Sequence, residues 1–298
     1  DRGWSASRAD IKNISALLTT DGKAIAQVYN RMEQLAASYV DKPSGNNTVY
    51  QFPNPFNWRE DILRLDYVVN EKNSLYFRYL HDDYNLIDPH PLGGLPTVPI
   101  NRVRPTPSYQ LGETWTLSPT LINEARATAT WSAQRRQLSS DTWERSTYGF
   151  QYPQIFGTGP LANGIPAVSV DGLTNFPAPT FVKLSPATDI SFSDNVTWVK
   201  GSHTLKAGVL VSRNRKDQNG SAINTGSIAF STSGDPMTTG NAVADALLGN
   251  YRTYSEANND PVGFFRFTQT DAFVQDSWKV CRRFSFELGI PFHNGAPT

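Results

Sequence analysis

The residue types that could do chemistry are few and thinly spread. His81, Asp82, Asp83 and His90 are the densest set of possible metal ligands. Imidazole and carboxylate together can suit a divalent ion. Here three of the four fall at the end of a strand-like run and the fourth in a proline-rich loop, which predicts a solvated loop mouth and no metal. Asp82, Asp83, Asp141, Glu144 and Glu256 include pairs that could serve as the two carboxylates of a glycosidase. Sequence does not measure their separation, and the expectation is solvated loops. No phosphate-binding glycine loop, His-Glu-x-x-His, Gly-x-Ser-x-Gly or Ser-x-x-Lys pattern occurs. The expectation is a protein that is not an enzyme and uses no cofactor.

Recognition chemistry is better represented. The segment 136–187 carries Trp143, Tyr148, Phe150, Tyr152 and Phe156 among glycines and prolines. Rings on a long loop can stack against a sugar or a peptide, so Trp143, Tyr148, Tyr152 and Phe156 are the candidate ligand-binding residues. The competing expectation is that these rings pack together and order the loop. Residues 231–250 form another polar, glycine-rich loop, closing with a short helix or strand that re-enters the wall. Arg64, Asp66, Arg78, Glu124 and Arg126 sit inside strand-like runs and read as the lining of a wet lumen, pairing across strands.

The elements that position these residues follow from four polar turn signals: Asn70-Glu71-Lys72-Asn73, Ser118-Pro119-Thr120-Leu121, Lys200-Gly201-Ser202-His203 and Val280-Cys281-Arg282-Arg283. Strand-like runs flank each one. In 61–69, Leu63, Leu65, Tyr67 and Val69 share one face; in 74–82, Leu75, Phe77 and Tyr79 do. Pairing Tyr67 with Phe77 and Asp66 with Arg78 keeps apolar with apolar. The second hairpin sorts the same way with Trp115 beside Ala125, Tyr109 beside Trp131, and Thr114 across from Arg126. In the third, Ile190, Phe192, Val196 and Trp198 return as Leu205, Ala207, Val209 and Val211, and Asp194 intrudes on that face without a sequence-level account. The fourth returns through Phe284, Phe286, Leu288 and Ile290, where Pro291 argues for an edge or a break.

The pattern predicts about eight antiparallel up-and-down strands of about nine to fourteen residues, longer than the usual five or six. Turns of about four residues alternate with connections of roughly 23, 50 and 50, at 83–105, 136–187 and 217–263, and long loops inside compact domains usually carry function. Short turns at one end of a sheet and long loops at the other are the asymmetry of an outer-membrane β-barrel. The fold class expected is therefore all-β, from such a barrel, over 44–298. A helical segment at 1–43 precedes it, with Ile25, Val28, Met32, Leu35 and Tyr39 as an apolar stripe that docks on a sheet. A shorter helix is expected near Asp10–Leu18, and 43–58 reads as extended linker.

Composition agrees. The 27 basic and 27 acidic residues cancel, with no block of like charge, so nucleic acid is not an expected partner. Charged residues are 18% and aromatics 12% of the chain, which suits a β-protein with an apolar girdle. The single cysteine, Cys281, excludes an internal disulfide and a cysteine-based zinc site. Without a signal sequence, and with an abrupt start at Asp1, the chain reads as a piece of something longer.

Four runs carry a family likeness: "DYVVNEKNSLYFRYLHDDYN" (66–85), "NVTWVKGSHTLKAG" (195–208), "ADALLGN" (244–250) and "FVQDSWKV" (273–280). Together they resemble the barrel domain of TonB-dependent outer-membrane receptors, the large Oar-like type with a carboxypeptidase-regulatory-like domain. The resemblance covers about 44–293. It implies an interior fragment of a twenty-two-stranded barrel in the bacterial outer membrane, contacting lipid and admitting a saccharide, peptide or siderophore-like nutrient. Energy coupling through the TonB system would then use a plug and coupling box absent from this sequence. Pro291 stands where such barrels carry an Arg. Two other classes fit the residues: a soluble β-rich carbohydrate-binding module or glycan-acting hydrolase, and a structural outer-membrane protein without a ligand.

Overall fold

The computed structural model describes residues 17–39, 48–157, 161–180, 183–220 and 222–297. The expected helix near Asp10–Leu18 lies almost wholly outside them. In chain order the elements are α1 (Thr20–Gln34), β1 (Ser38–Tyr39), β2 (Thr48–Val49), β3 (Phe56–Asn70), β4 (Asn73–Asp88), β5 (Ile100–Val103), β6 (Thr106–Ser118), β7 (Leu121–Leu138), α2 (Arg145–Tyr148), β8 (Ala167–Val170), β9 (Lys183–Lys200), β10 (His203–Asn219), β11 (Ser227–Phe230), α3 (Ala242–Leu248), β12 (Thr253–Ser255), β13 (Val262–Cys281) and β14 (Phe284–Pro297).

Nine strands form one antiparallel sheet in the order β14-β13-β10-β9-β7-β5-β4-β3, with β6 between β4 and β7 below β5. The eight long strands expected from alternation are all present. The ninth, β5, continues the line of β6 past Pro105, which has no N–H to give a ladder. β4 pairs β6 as far as Asp82↔Thr106 and resumes with β5 at Asn85↔Val103. β14 pairs β13 and carries Pro291 opposite Phe273, where the register runs on without the expected break.

The first two registers differ from the expected ones by a period of two. Tyr67 faces Leu75, Leu65 faces Phe77, and Arg64, not Asp66, faces Arg78. Trp115 faces Asn123, Tyr109 faces Ala129, and Thr114 faces Glu124. Alternation fixes which face a side chain takes, but a two-residue slide leaves every face unchanged. The turns decide the rest: only Glu71-Lys72 and Pro119-Thr120 lie outside the strands, each preceded by a bulge, between Val68 and Asn70 and between Thr116 and Ser118. The third hairpin takes the expected faces, with Leu205 opposite Trp198 and Val211 opposite Phe192. The fourth turns at Arg282-Arg283, one residue later than expected.

One sheet face is mainly apolar: Leu65, Phe77, Leu111, Ala127, Phe192, Val211, Leu288 and Ile290 lie on it, the last two 73% and 79% exposed, and Asp194 is among the few polar residues that interrupt it. An exposed apolar surface of this extent, with polar residues on the reverse face, is what a bilayer requires.

The long connections are shorter than the boundaries 83–105, 136–187 and 217–263, because the strands run on into them, and they hold a folded cap. β8 and β11 pair in parallel and β12 adds to β11. Against this small sheet pack Ala24, Ile25, Val28 and Met32 of α1, Tyr148 and Phe150, Phe176, and Ala242 and Ala246 of α3. Of the expected helical segment 1–43, α1 is therefore joined to the cap, and α3 packs there instead of re-entering the wall. Thr19 caps α1 by accepting from the Gly22 amide at 3.0 Å. Gly22 has no room for a β-carbon beside the Leu247 carbonyl, which lets the two helices meet. Leu35 and Tyr39, expected in the buried stripe, are 44% and 40% exposed, because α1 ends at Gln34.

Candidate ligand-facing surface

The polar face of the sheet brings Arg64, Asp66, Glu124 and Arg126 to one cavity of about 330 Å³, with Tyr76 and Thr114. Arg64 binds Asp66 of its own strand at 2.7 Å, and its guanidinium lies 4.4 Å from the Tyr76 ring centroid. Two residues along a strand share a face, so the ion pair forms within β3 and not across to Arg78. Arg78 sits one row away, opposite Arg64 and Gln110. The Tyr76 hydroxyl reaches Gln110 Oε1 at 3.2 Å, and Gln110 Nε2 reaches Thr128 Oγ1 at 3.4 Å. Farther along, Ser212 donates to Asp189 at 2.9 Å beside a second cavity of about 230 Å³ that includes Lys216, Phe265 and Phe267. A wall of this composition can hydrogen-bond and stack on a passing polar solute.

Of the aromatic candidates, the structure places three in packing roles. Trp143, like Leu138, packs against Val98 and Ile100, where the cap meets the wall. Tyr148 is 4% exposed, and its hydroxyl donates to the Thr142 carbonyl at 3.0 Å; burial pushes that phenol up to about 12. Tyr152 donates to the Thr225 carbonyl and carries Arg145 over its ring at 4.5 Å. Burial, ahead of any charge, raises its pKa too. Phe156 remains 41% exposed beside Ile155 at 67%.

Ring contacts run from the core outward: Tyr148 to Phe150 at 6.4 Å, Phe150 to Tyr152 at 6.1 Å, Tyr152 to Tyr254 at 6.0 Å and Tyr254 to Tyr251 at 6.5 Å. Tyr251 is 56% exposed. Glu256 anchors the other side, accepting from the amides of Ile155 and Phe156, each at 2.8 Å, and from the Tyr254 hydroxyl. Partial burial alone would raise its pKa, but the Tyr254 and amide hydrogen bonds outweigh it and hold the carboxyl below the usual range. Ile155, Phe156 and Tyr251 thus border one Tyr254–Glu256 unit. Sequence reading missed Tyr251 and Ile155, since the join between residues one hundred apart has no local signal.

Three of the other candidate carboxylates also have structural partners. Asp141 pairs with Arg31 at 2.7 Å and Glu144 accepts from Asn163 at 3.4 Å. Asp82 accepts from the Trp58 indole. His81 and Asp82 point to opposite faces as strand neighbours, and His90 contacts the Gly94 carbonyl at 2.7 Å. Among the described residues no three His, Cys, Asp or Glu gather as a metal site.

A sheet with one greasy and one wet face, two-residue turns at one end and a folded cap at the other, defines a membrane β-barrel wall. The chain belongs to the outer membrane beta barrel domain family, whose model matches residues 8–297; it is a protein of the bacterial outer membrane. It is similar in structure to the copper transporter OprC (12% identity, TM-score 0.45, 87% of this chain and 31% of that one) and to the outer membrane transporter YddB from Escherichia coli (9%, 0.47, 88% and 31%). The chain thus spans about a third of their length. No curated protein matches it.

Proposed function

We propose that this chain is wall and extracellular cap of a TonB-dependent transporter of the Oar-like kind, taking up a saccharide, peptide or siderophore-like nutrient too large or scarce for porins. The observation that carries this is the polar wall of Arg64, Asp66, Tyr76, Glu124 and Arg126 beneath an ordered cap. Ile155, Phe156 and Tyr251 make the first contact on the cap, and Trp143, Tyr148 and Tyr152 hold that surface in place. The inner-face charges then guide the solute past the wall. Neither catalysis nor a cofactor belongs to this reading. Energy reaches the barrel from the TonB system through parts of the transporter other than this wall.

The test is accumulation of labelled oligosaccharides, peptides and ferric chelates by cells with and without the gene, before and after a protonophore. Gene-dependent, protonophore-sensitive uptake of one class is expected. Uptake unaffected by deletion for all three classes, or insensitive to the protonophore, overturns the reading.

A further inference from the structure

The four short turns are not alike. Glu71-Lys72 and Pro119-Thr120 are neutral, whereas the other two bring together Lys200, His203, Lys279, Arg282 and Arg283. The pairing of β10 with β13 sets these two turns side by side: His203 faces Trp278, and the Lys279 amide donates to the Ser202 carbonyl at 2.8 Å. Short turns of such barrels face the periplasm, so the cations lie at the level of the inner-leaflet headgroups.

Next to them, on the apolar face, is an aromatic shelf across four strands. The Lys200 ammonium lies 5.0 Å from the Trp198 ring centroid. His203 stacks on Trp278 at 5.3 Å and 11°. Trp278 stacks on Phe286 at 6.3 Å, and Phe284 meets Phe286 edge-on at 4.7 Å. His203 Nδ1 sits 2.8 Å from Asp276 Oδ2, which fixes the ring and leaves Nε2 free. Asp276 thus meets His203 through Oδ2 alone, and Glu287 lies on the opposite face near Ser277. Among the described residues, Lys200, Lys279, Arg282 and Arg283 make no ion pair.

We propose that these two turns and their shelf form a binding site for an anionic phospholipid of the inner leaflet, its phosphate on Lys200, Arg282 and Arg283 and its acyl chains along Leu288 and Ile290. The charge calls for an anion at headgroup depth. The tryptophans call for an amphiphile at the same depth. A free phosphate or an acidic periplasmic protein would use the cations and leave the shelf uncovered. The proposal depends on the membrane placement alone, whatever the barrel carries.

The test uses the protein purified from outer membranes and reconstituted in vesicles, reading tryptophan quenching by brominated phosphatidylglycerol against brominated phosphatidylcholine. Preference for phosphatidylglycerol is expected to fall about fivefold for each cation removed in Lys200→Gln, Arg282→Gln and Arg283→Gln. Lys72→Gln, at a neutral turn, is expected to leave it unchanged. Arg282→Lys with Arg283→Lys retains it, which separates loss of charge from loss of fold. An unchanged preference in the triple variant overturns the proposal. So does competition by millimolar inorganic phosphate, which would mark a plain anion site, or tight binding of polyglutamate in lipid-free detergent, which would mark a protein surface.

Discussion

The ring of Tyr76 lies over Gly112, its direct cross-strand partner, so closely that a β-carbon at Gly112 would overlap it. Phe273 covers Gly208 the same way across β10 and β13. Both pairs sit on the polar face, where a flat ring shields a backbone that has no side chain of its own. In the first pair the ring also carries the Arg64 guanidinium. Gly112 is thus what allows Tyr76 to lie flat and hold the cation of the inner wall.

Gly112→Ala is therefore expected to lift the Tyr76 ring and cost about 1–3 kcal/mol, the range for overpacking a close contact. Urea unfolding of the reconstituted protein, followed by tryptophan fluorescence, measures it. Gly295→Ala, whose β-carbon would meet only His293 Nε2 at an ordinary 4.0 Å, is the control and should shift the midpoint little. An equal shift in both would show that the ring contact is not what makes Gly112 necessary.

Glu256 gives the cap a pH dependence. Its carboxyl is more acidic folded than unfolded, so its stabilisation is complete at neutral pH and drains away as the pH falls below about 4.3 through the folded value. Hydrogen exchange at the amides of Ile155 and Phe156 should accelerate over that window. In Glu256→Gln the acceleration should be present already at pH 7 and should not change with acid. Tyr148 sets the opposite limit: its phenol, raised to about 12, favours the fold below pH about 10 and loses that effect as the pH climbs toward 12.

Met32, fully buried between α1 and the cap sheet, tests whether helix and loops are one unit. Met32→Ala should cost about 2–5 kcal/mol of cap stability. Limited proteolysis should then cut both α1 and the 139–182 loop faster while the long hairpins stay protected. Cleavage confined to α1 would mean that the helix is dispensable to the cap core.

The wall was legible because its information is local: alternation, turn residues and strand length name eight strands and sort Arg64 from Leu65 by parity alone. Register was legible only to within two residues, since sliding Tyr67 from Leu75 to Phe77 preserves every face. The cap was not legible. Its joins are Thr19 to Leu247, Glu256 to Ile155 and Tyr152 to Thr225, contacts between distant segments with no shared periodicity. The sequence offered two readings of Tyr148 and Tyr152, rings exposed for stacking and rings packed to order the loop, and the structure shows the packed one; an aromatic residue in a glycine-rich loop carries no sign of which segment covers it.

Asp194, the charge that interrupts the apolar face, is met by Asn123 of the neighbouring strand: Nδ2 donates to Asp194 Oδ1 at 2.5 Å and to the Asn195 carbonyl at 3.2 Å. Asp194 lies four residues from Trp198 on β9, about 10 Å into the bilayer at a rise of about 3.3 Å per residue and a tilt of about 40°. One amide donor does not satisfy a carboxylate there, so the pair is a net cost that Asn123 reduces. Asn123→Ala should accordingly destabilise the wall by more than about 1 kcal/mol by leaving the carboxylate unmet. Replacing both, Asn123→Val with Asp194→Val, should match or exceed the parent by about 0–2 kcal/mol. Urea midpoints in vesicles compare the three. If the double variant is as weak as Asn123→Ala, the pair stabilises the wall outright, and lipid cannot be what this part of β7 and β9 faces.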